Sequence, residues 1–147
     1  MTPTPAIIAR LKDAVPDLQG RVHGAASLAA IMAKEAVPSV TPCVHVVPSG
    51  VTARATPSVM SGGYIQIVER GWALFLSLRV HDPTGAQALD EADGLIDAIM
   101  LAIAGWEPTP DAIGVFVFRH AVLRTLDRGV AIYEISFSIS DQLRISA

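Results

Sequence analysis

One run of strand-forming residues, 64–80, constrains the fold more than any other part of this 147-residue chain. Fully extended, it would reach roughly 55 Å, which is longer than most strands of single domains. Apolar side chains occupy alternate positions over 72–80, but Ile65 and Ile67 fall on the opposite parity. Gly71 lies where the phase changes, which predicts a β-bulge. The alternative is that the first half projects beyond the body as one arm of a hairpin.

The next segment carries the clearest helical pattern. Residues 82–85 predict a turn, and apolar residues then recur at the i, i+3, i+4, i+7 spacing of a helix that lies on a sheet. Asp90, Asp93 and Asp97 fall on the opposite side. Such an acidic stripe is usually the solvated face of a helix, and a contact with another subunit is the alternative. The apolar positions are Ala88, Leu89, Ala92, Leu95, Ile96, Ile99, Met100 and Ile103.

Shorter elements surround these two. The pattern predicts helices over 6–15 and 25–35, a strand over 43–47 that Pro48 ends, a flexible loop over 49–63, and strands over 114–126 and 130–140 joined at Asp127-Arg128-Gly129. We therefore expect one α+β domain over 1–147. Its sheet has about four strands, antiparallel or mixed, with one long helix packed on one face and short N-terminal helices.

The composition predicts a chain that associates with other chains. Mean hydropathy is +0.45 and only 17% of residues are charged, but the longest uncharged apolar runs, 71–78 and 99–106, are far shorter than the roughly 18 residues that span a bilayer. The N-terminus lacks the pattern of a secretion signal. We expect a soluble cytoplasmic protein, without membrane contact, that buries its apolar excess in an oligomer.

No metal or cofactor motif emerges. The net charge of −3 disfavours nonspecific DNA binding, and the single cysteine rules out an internal disulfide or a multi-cysteine zinc site. His23, His45, His81 and His120 lack metal-ligand spacing. Cys43 and His45 share one strand face, which permits a catalytic pair, although a buried thiol beside a half-exposed ring explains them better. We expect no cofactor.

Other patterns of chemistry are equally absent. Ser61-Gly62-Gly63 precedes a strand rather than a helix and lacks the spacing of a phosphate-binding loop. Arg119, Arg124 and Arg128 cluster near the last hairpin, and Arg54 stands alone in the predicted loop. These arginines either solubilise the surface or meet the acidic helix of a neighbouring copy. A structural or interaction protein is therefore favoured over a catalyst.

The strongest rival is a small enzyme or ligand-binding α+β domain. It would hold His45 and His120 in a pocket between helix and sheet, with converging polar groups. The sequence shows no such constellation.

Several segments, in this order, carry a resemblance to a known family. The chain resembles the tail terminator, or tail completion, proteins of long-tailed bacteriophages and of related gene-transfer-agent particles. The segments are IIARLK at 7–12 followed by Val15-Pro16, GAASLA at 24–29, CVHVVP at 43–48, WALFLSLRV at 72–80, DPTGAQALD at 82–90 and LAIAGWEP at 101–108.

The resemblance implies a non-enzymatic virion protein, assembled in the host cytoplasm, that acts at the neck of the particle. It would form a ring of typically six copies at the head-proximal end of the tail tube, stop tube polymerisation and meet the head-completion, or stopper, protein. DNA would pass through the lumen without sequence-specific binding, along a mildly acidic wall. Another head–tail connector component is the alternative. Candidate interface residues are Arg54, Asp90, Asp93, Asp97, Arg124 and Arg128.

Overall fold

The computed structural model describes residues 3–60, 62–81 and 86–146. Three α-helices and six strands form an α+β domain, with a short 3-10 turn at Pro16–Leu18. In chain order the elements are α1 (Thr4–Ala14), β1 (Val22–Gly24), α2 (Ala25–Ala33), β2 (Cys43–Ala53), β3 (Ser58–Met60), β4 (Gly63–Arg79), α3 (Ala86–Ile103), β5 (Val117–Asp127) and β6 (Val130–Ser146).

All the strands belong to one mixed sheet. Its order is β1-β2-β4-β6-β5, and β3 also pairs with β4. Among the described strands, only the β1–β2 pair is parallel. The expectation of about four strands was therefore wrong, because two three-residue strands, β1 and β3, are too short to produce a detectable alternation. The α+β class and the long helix on one face are confirmed.

Two long strands form the axis of the sheet. β4 and β6 each have 17 residues and pair along their whole length, from Gly63 opposite Ser146 to Arg79 opposite Val130. The predicted long strand is thus confirmed, and β6 runs six residues beyond its predicted end at position 140. Side chains opposite one another across antiparallel strands share a face, so this pairing defines both faces of the sheet.

The face that we call the helical face carries the core. Leu74, Leu76, Ile135 and Phe137 project from it and are fully buried against α1 and α3. At its margin the indole Nε1 of Trp72 donates a hydrogen bond to the Thr4 hydroxyl at 3.0 Å. Burying each such side chain stabilises the fold by roughly 1.5–3 kcal/mol.

Helix α3 follows the predicted pattern with one exception. Six of its residues are buried, all on one stripe, and Gly105 follows it at φ 77°, donating its N–H to the Phe116 carbonyl at 2.8 Å. Leu89, expected in the core, is 53% exposed. Leu101, which lies outside the predicted apolar stripe, is 84% exposed. The predicted turn at 82–85 lies outside the described residues. Within the described ranges, no helix combines the length and the apolar character needed to cross a membrane.

The predicted loop 49–63 was wrong for most of its length. β2 passes through Pro48 and pairs with β4 as far as Ala53, and β3 adds a further strand. Pro48 does not end β2 because β1 covers only 44–46, so the outer edge at position 48 needs no N–H donor. Ser61 lies outside the described residues.

The bulge predicted at Gly71 is present, but its extra residue belongs to β2. Pairing shifts between Pro48 and Gly50, which leaves Ser49 without an opposite partner, whereas β4 stays in register with β6 through Gly71. A Cβ at position 71 would approach the Ser49 hydroxyl to 2.4 Å. Gly71 therefore provides the space that the bulge on β2 occupies.

β5 is an irregular edge strand joined to β6 by a tight turn. Arg128 and Gly129 both have positive φ, 51° and 75°, as a two-residue type I′ turn requires. The register of β5 shifts twice, between Phe118 and His120 and again near Arg124. The predicted hairpin is confirmed, and β5 begins three residues later than expected.

Candidate interaction surfaces

The face opposite the helical face, which we call the polar face, carries ion pairs that cross the strands. The first row centres on Glu69 of β4. Arg54 reaches one of its carboxylate oxygens at 3.2 Å and the Ser140 hydroxyl at 3.4 Å. Arg119 pairs with the other oxygen and donates from Nε to Ser138 at 2.6 Å. One carboxylate on β4 therefore pairs with two arginines on the same face, one that follows β2 and one from the edge strand β5.

In this row the carboxylate is less exposed than the guanidinium groups that pair with it. The Glu69 side chain is 23% exposed, whereas Arg54 and Arg119 are 54% and 43% exposed. A hydrogen bond from Ser138, together with the charges of Arg119 and Arg54, holds the pKa of Glu69 below its ordinary value, against the effect of burial. The carboxylate stays ionised beneath the guanidinium groups, which face solvent.

A second row lies nearer the β5–β6 turn. Arg124 pairs with Glu134 at 2.5 Å, and His120 lies 3.7 Å from the same carboxylate and 3.2 Å from the Ser136 hydroxyl. Sequence reasoning missed Glu69 because its partner Arg119 lies on a strand distant in sequence. It missed Glu134 because its pairing with Arg124 depends on the register of the β5–β6 hairpin. The alternation of Glu134 with serines was the available signal.

Arg128 is anchored mainly by backbone. It donates to the Glu35 carbonyl after α2 and lies 4.0 Å from Asp127. The cluster predicted for Arg119, Arg124 and Arg128 is therefore divided between the first row, the second row and the turn. Arg54, expected to stand alone, joins Arg119 in the first row.

The acidic stripe lies apart from these arginines. Asp90, Asp93 and Asp97 are exposed on α3, which packs over the helical face. Within residues 3–60, 62–81 and 86–146, none of the three forms an ion pair. Burial, with the nearby charge of Asp93, raises the pKa of Tyr133. Near Asp90, a cleft of about 460 Å³ is also lined by Asp17.

Beyond the core, the sheet continues as a projection that we call the arm, residues 50–60, 62–70 and 140–146. Its eight residues of β4, 63–70, extend about 27 Å at 3.4 Å per residue. Val51, Val59, Leu143 and Ile145 lie on its helical-face side, where they are 55%, 75%, 40% and 55% exposed. The core cluster of the described residues includes no arm residue, and Val68, at the base of the arm, is the one described arm side chain that is buried, at 6% exposure. These side chains form an uncovered apolar surface.

The histidine pocket of the rival interpretation does not form. His45, on β2, and His120, on β5, are separated in the sheet by β4 and β6, and only His45 is buried, at 1% exposure. Neither of its ring nitrogens has a hydrogen-bond partner among the described residues, and the His23 ring lies 5.4 Å away. Burial, followed by the charge of His23, lowers the pKa of His45.

The Cys43 thiol lies on the same face as His45, in a pocket of about 180 Å³ beneath α2. Burial raises the pKa of Cys43, although a hydrogen bond with Ser77 and the charge of Arg21 act in the opposite direction. The thiol is thus disfavoured as a nucleophile. Across the part of the chain that the structure describes, no three His, Cys, Asp or Glu side chains are placed to hold a metal ion.

The fold has a counterpart among solved structures. A chain from the virion of a native gene transfer agent particle superposes with a TM-score of 0.54 over 95% of this chain and 93% of that one, at 16% sequence identity. At this identity the likeness establishes a shared fold. No curated protein sequence matches the chain.

The sequence comparison defines the class more sharply. The model of the phage tail terminator protein family matches residues 1–147. The chain belongs to the phage tail terminator family, as its resemblance to that family had implied. It is therefore a structural protein of a phage-type tail, and its location is the virion.

Proposed function

We propose that this protein is a non-enzymatic ring-forming terminator at the head-proximal end of the tail tube. The observation that carries the proposal is the family match over the whole chain. About six copies form the ring, end tube polymerisation and join the tail to the head-completion protein. The ring assembles in the host cytoplasm, lies in the neck of the particle and lets DNA pass without reading its sequence.

The separation of charge supports a ring with a repeated head-to-tail contact. Asp93 and Asp97 lie on α3, over the helical face, whereas Arg124 and Arg128 belong to the hairpin and the polar face. Since the α3 carboxylates form no ion pair among the described residues, each copy presents an acidic surface that the hairpin of the next copy complements. Such heterologous contacts close into rings when the rotation permits.

The arm supplies the apolar part of the assembly. Exposed apolar side chains on a projecting sheet mark a protein contact, and interface cores are more apolar than the rest of a surface. We assign Val51, Val59, Leu143 and Ile145 to contacts with neighbouring copies or with the tail tube protein.

The first test is the mass of the purified protein across a concentration series, by native mass spectrometry. Six copies of a 15.5 kDa chain give roughly 93 kDa, and we expect this species to grow with concentration. A stable dimer would contradict the ring and favour the ligand-binding rival. If only monomer is found, the ring must be templated, and the monomer must then cap isolated tail tubes.

Charge reversal tests the contact itself. We expect Asp93→Lys with Asp97→Lys to abolish the ring, and Arg124→Glu with Arg128→Glu to do the same, with folding verified by circular dichroism. Mixing the two variants should restore a ring in which they alternate, because each reversed surface then meets its complement. Asp13→Lys, at an exposed carboxylate of α1, serves as the control and should leave the mass distribution unchanged. Rings in either double variant alone would disprove this boundary.

A further inference from the structure

The polar side of the arm carries a strip of arginines that the subunit contact does not use. We propose that Arg54, Arg119 and Arg144 bind the phosphate backbone of double-stranded DNA. Arg54 and Arg119 flank Glu69 at the base of the arm, and Arg144 lies nearer its tip on β6.

The register places the three side chains on one face. Ser140 is opposite Glu69 and receives a hydrogen bond from Arg54. Arg144 follows Ser140 by four residues, so it lies about 13 Å further along the same side of β6. Gln142 lies between them and accepts a hydrogen bond from Arg144 at 2.7 Å. The strip thus combines donors from three places on one face: Arg54 just after β2, Arg119 on β5 and Arg144 on the part of β6 that pairs with β4.

The strip has an excess of positive charge. Glu69 is its one carboxylate among the described residues, and Arg144 forms no ion pair there. Three guanidinium groups over one recessed carboxylate leave a net charge of +2 per copy. Each guanidinium carries five N–H donors, of which the hydrogen bonds within the chain use only a few. The remaining donors suit phosphate oxygens.

The surroundings favour a hydrated polyanion over a protein. Ser138, Ser140 and Gln142 line the strip together with the half-buried Ile65 and Ile67, whereas the strongly exposed apolar residues of the arm lie on its other side. Protein interfaces concentrate apolar groups at their centre, but contacts to DNA are polar and wet. The overall charge of −3 disfavoured DNA binding only as an average, because the acidic groups of α3 lie elsewhere.

This inference rests on the proposed function for the identity of the polyanion, since a terminator ring admits DNA. It corrects the expected acidic wall at one position, where the surface attracts phosphates. Contacts to the backbone alone carry no sequence information, which agrees with unselective passage of DNA.

The test measures binding of a fluorescein-labelled 30-base-pair duplex of random sequence, by anisotropy, between 50 and 200 mM NaCl. We expect salt-dependent binding by the wild-type protein. Replacing all three arginines by Gln should weaken binding at least tenfold at 50 mM. It should also reduce the slope of log K against log salt by about 0.9 for each phosphate that the variant no longer neutralises. Replacing all three by Lys should retain most of the binding.

Arg70→Gln is the matched control, because Arg70 lies on the same strand as Glu69 but on the helical-face side, paired with Asp141 at 2.6 Å. It should leave DNA binding unchanged. If the triple Gln variant fails to fold, Arg144→Gln alone should still reduce the salt slope. Equal binding by wild type and the Gln variants overturns the inference. So does loss of the 93 kDa species with DNA binding intact, which would assign the strip to a protein contact.

Failure of this inference and failure of the ring are distinguishable. Rings that do not bind the duplex refute the strip alone. Protein that binds the duplex through these arginines but forms no ring, free or on tube ends, refutes the proposed function alone.

Discussion

The body and the arm are built from the same two strands, yet they differ in what stabilises them. In the body, Leu74, Leu76 and Leu78 of β4 are at most 1% exposed beneath the helices. In the arm, the same face carries Val59 at 75% and Ile145 at 55% exposure. The body therefore rests on apolar burial, and the arm on backbone pairing and ion pairs. A strand that leaves its helical cover retains its pairing and exposes its apolar side chains to a partner.

The largest expected effect breaks the body. Leu76 is 0% exposed, so Leu76→Ala leaves a cavity in the core. Such truncations lower the free energy of unfolding by about 2–5 kcal/mol. Ile145→Ala, in the arm, should cost less than about 0.5 kcal/mol, as surface changes usually do. Denaturant unfolding of both variants measures the difference. Comparable losses would show that the arm contributes to the folded core.

As the pH falls, the body should lose stability before the arm does. Because the pKa of His45 is lowered in the folded state, the unfolded chain binds more protons below about pH 6.5, and stability falls as pH decreases, by at most about 1.4 kcal/mol per pH unit for one proton. His45→Leu should flatten this dependence between pH 7 and 5, whereas His81→Ala, at an exposed position, should not.

The Glu69 pairs of the arm should persist to lower pH, because the pKa of Glu69 is lowered and its stabilising effect is lost only below its ordinary range. Amide hydrogen exchange at pH 5 would show the order. If the arm instead exchanged first at acid pH, and if His45→Leu did not change the acid stability of the body, the arm would be the more acid-sensitive region.

The smallest effect on stability sharpens the comparison at the base of the arm. Glu69→Gln removes the carboxylate shared by Arg54 and Arg119, and such exposed pairs contribute roughly 0.2–1 kcal/mol. We expect a loss in that range that disappears at high salt. The same variant should bind duplex DNA more tightly, because it removes the one negative charge of the strip. Weaker DNA binding would mean that Glu69 mainly positions the arginines.

The sequence predicted those elements whose pattern of apolar residues is complete within one segment of the chain. The apolar period of α3 and the alternation over 72–80 report burial directly, so helix, long strand and last hairpin were found, with errors at Leu89 and at the ends of strands. The pairing of residues 50–53 with β4 left no such signal, because both faces of the arm are partly exposed to solvent and Ser49 interrupts the register.

The candidate surfaces were predictable only in part. The acidic stripe follows from helical spacing alone, and it is exposed as expected. The arginines were noticed, but the carboxylates that pair with Arg54, Arg119 and Arg124 lie 10 to 50 residues away, and the carbonyl that binds Arg128 lies 93 residues away. Arg144 fell outside the predicted last strand, so its alignment with Arg54 depends on a register that no local pattern encodes.

The two register shifts in β5 affect how separate copies of the chain behave before they assemble. β5 is an open edge of the sheet, and an open edge of regular backbone can pair with any other such edge until copies precipitate. The irregularities at Arg119 and Arg124 interrupt the spacing of free donors and acceptors and place positive charge along it. These irregularities should therefore limit unspecific edge-to-edge aggregation of newly made copies at high concentration, without preventing the specific contacts of the proposed ring.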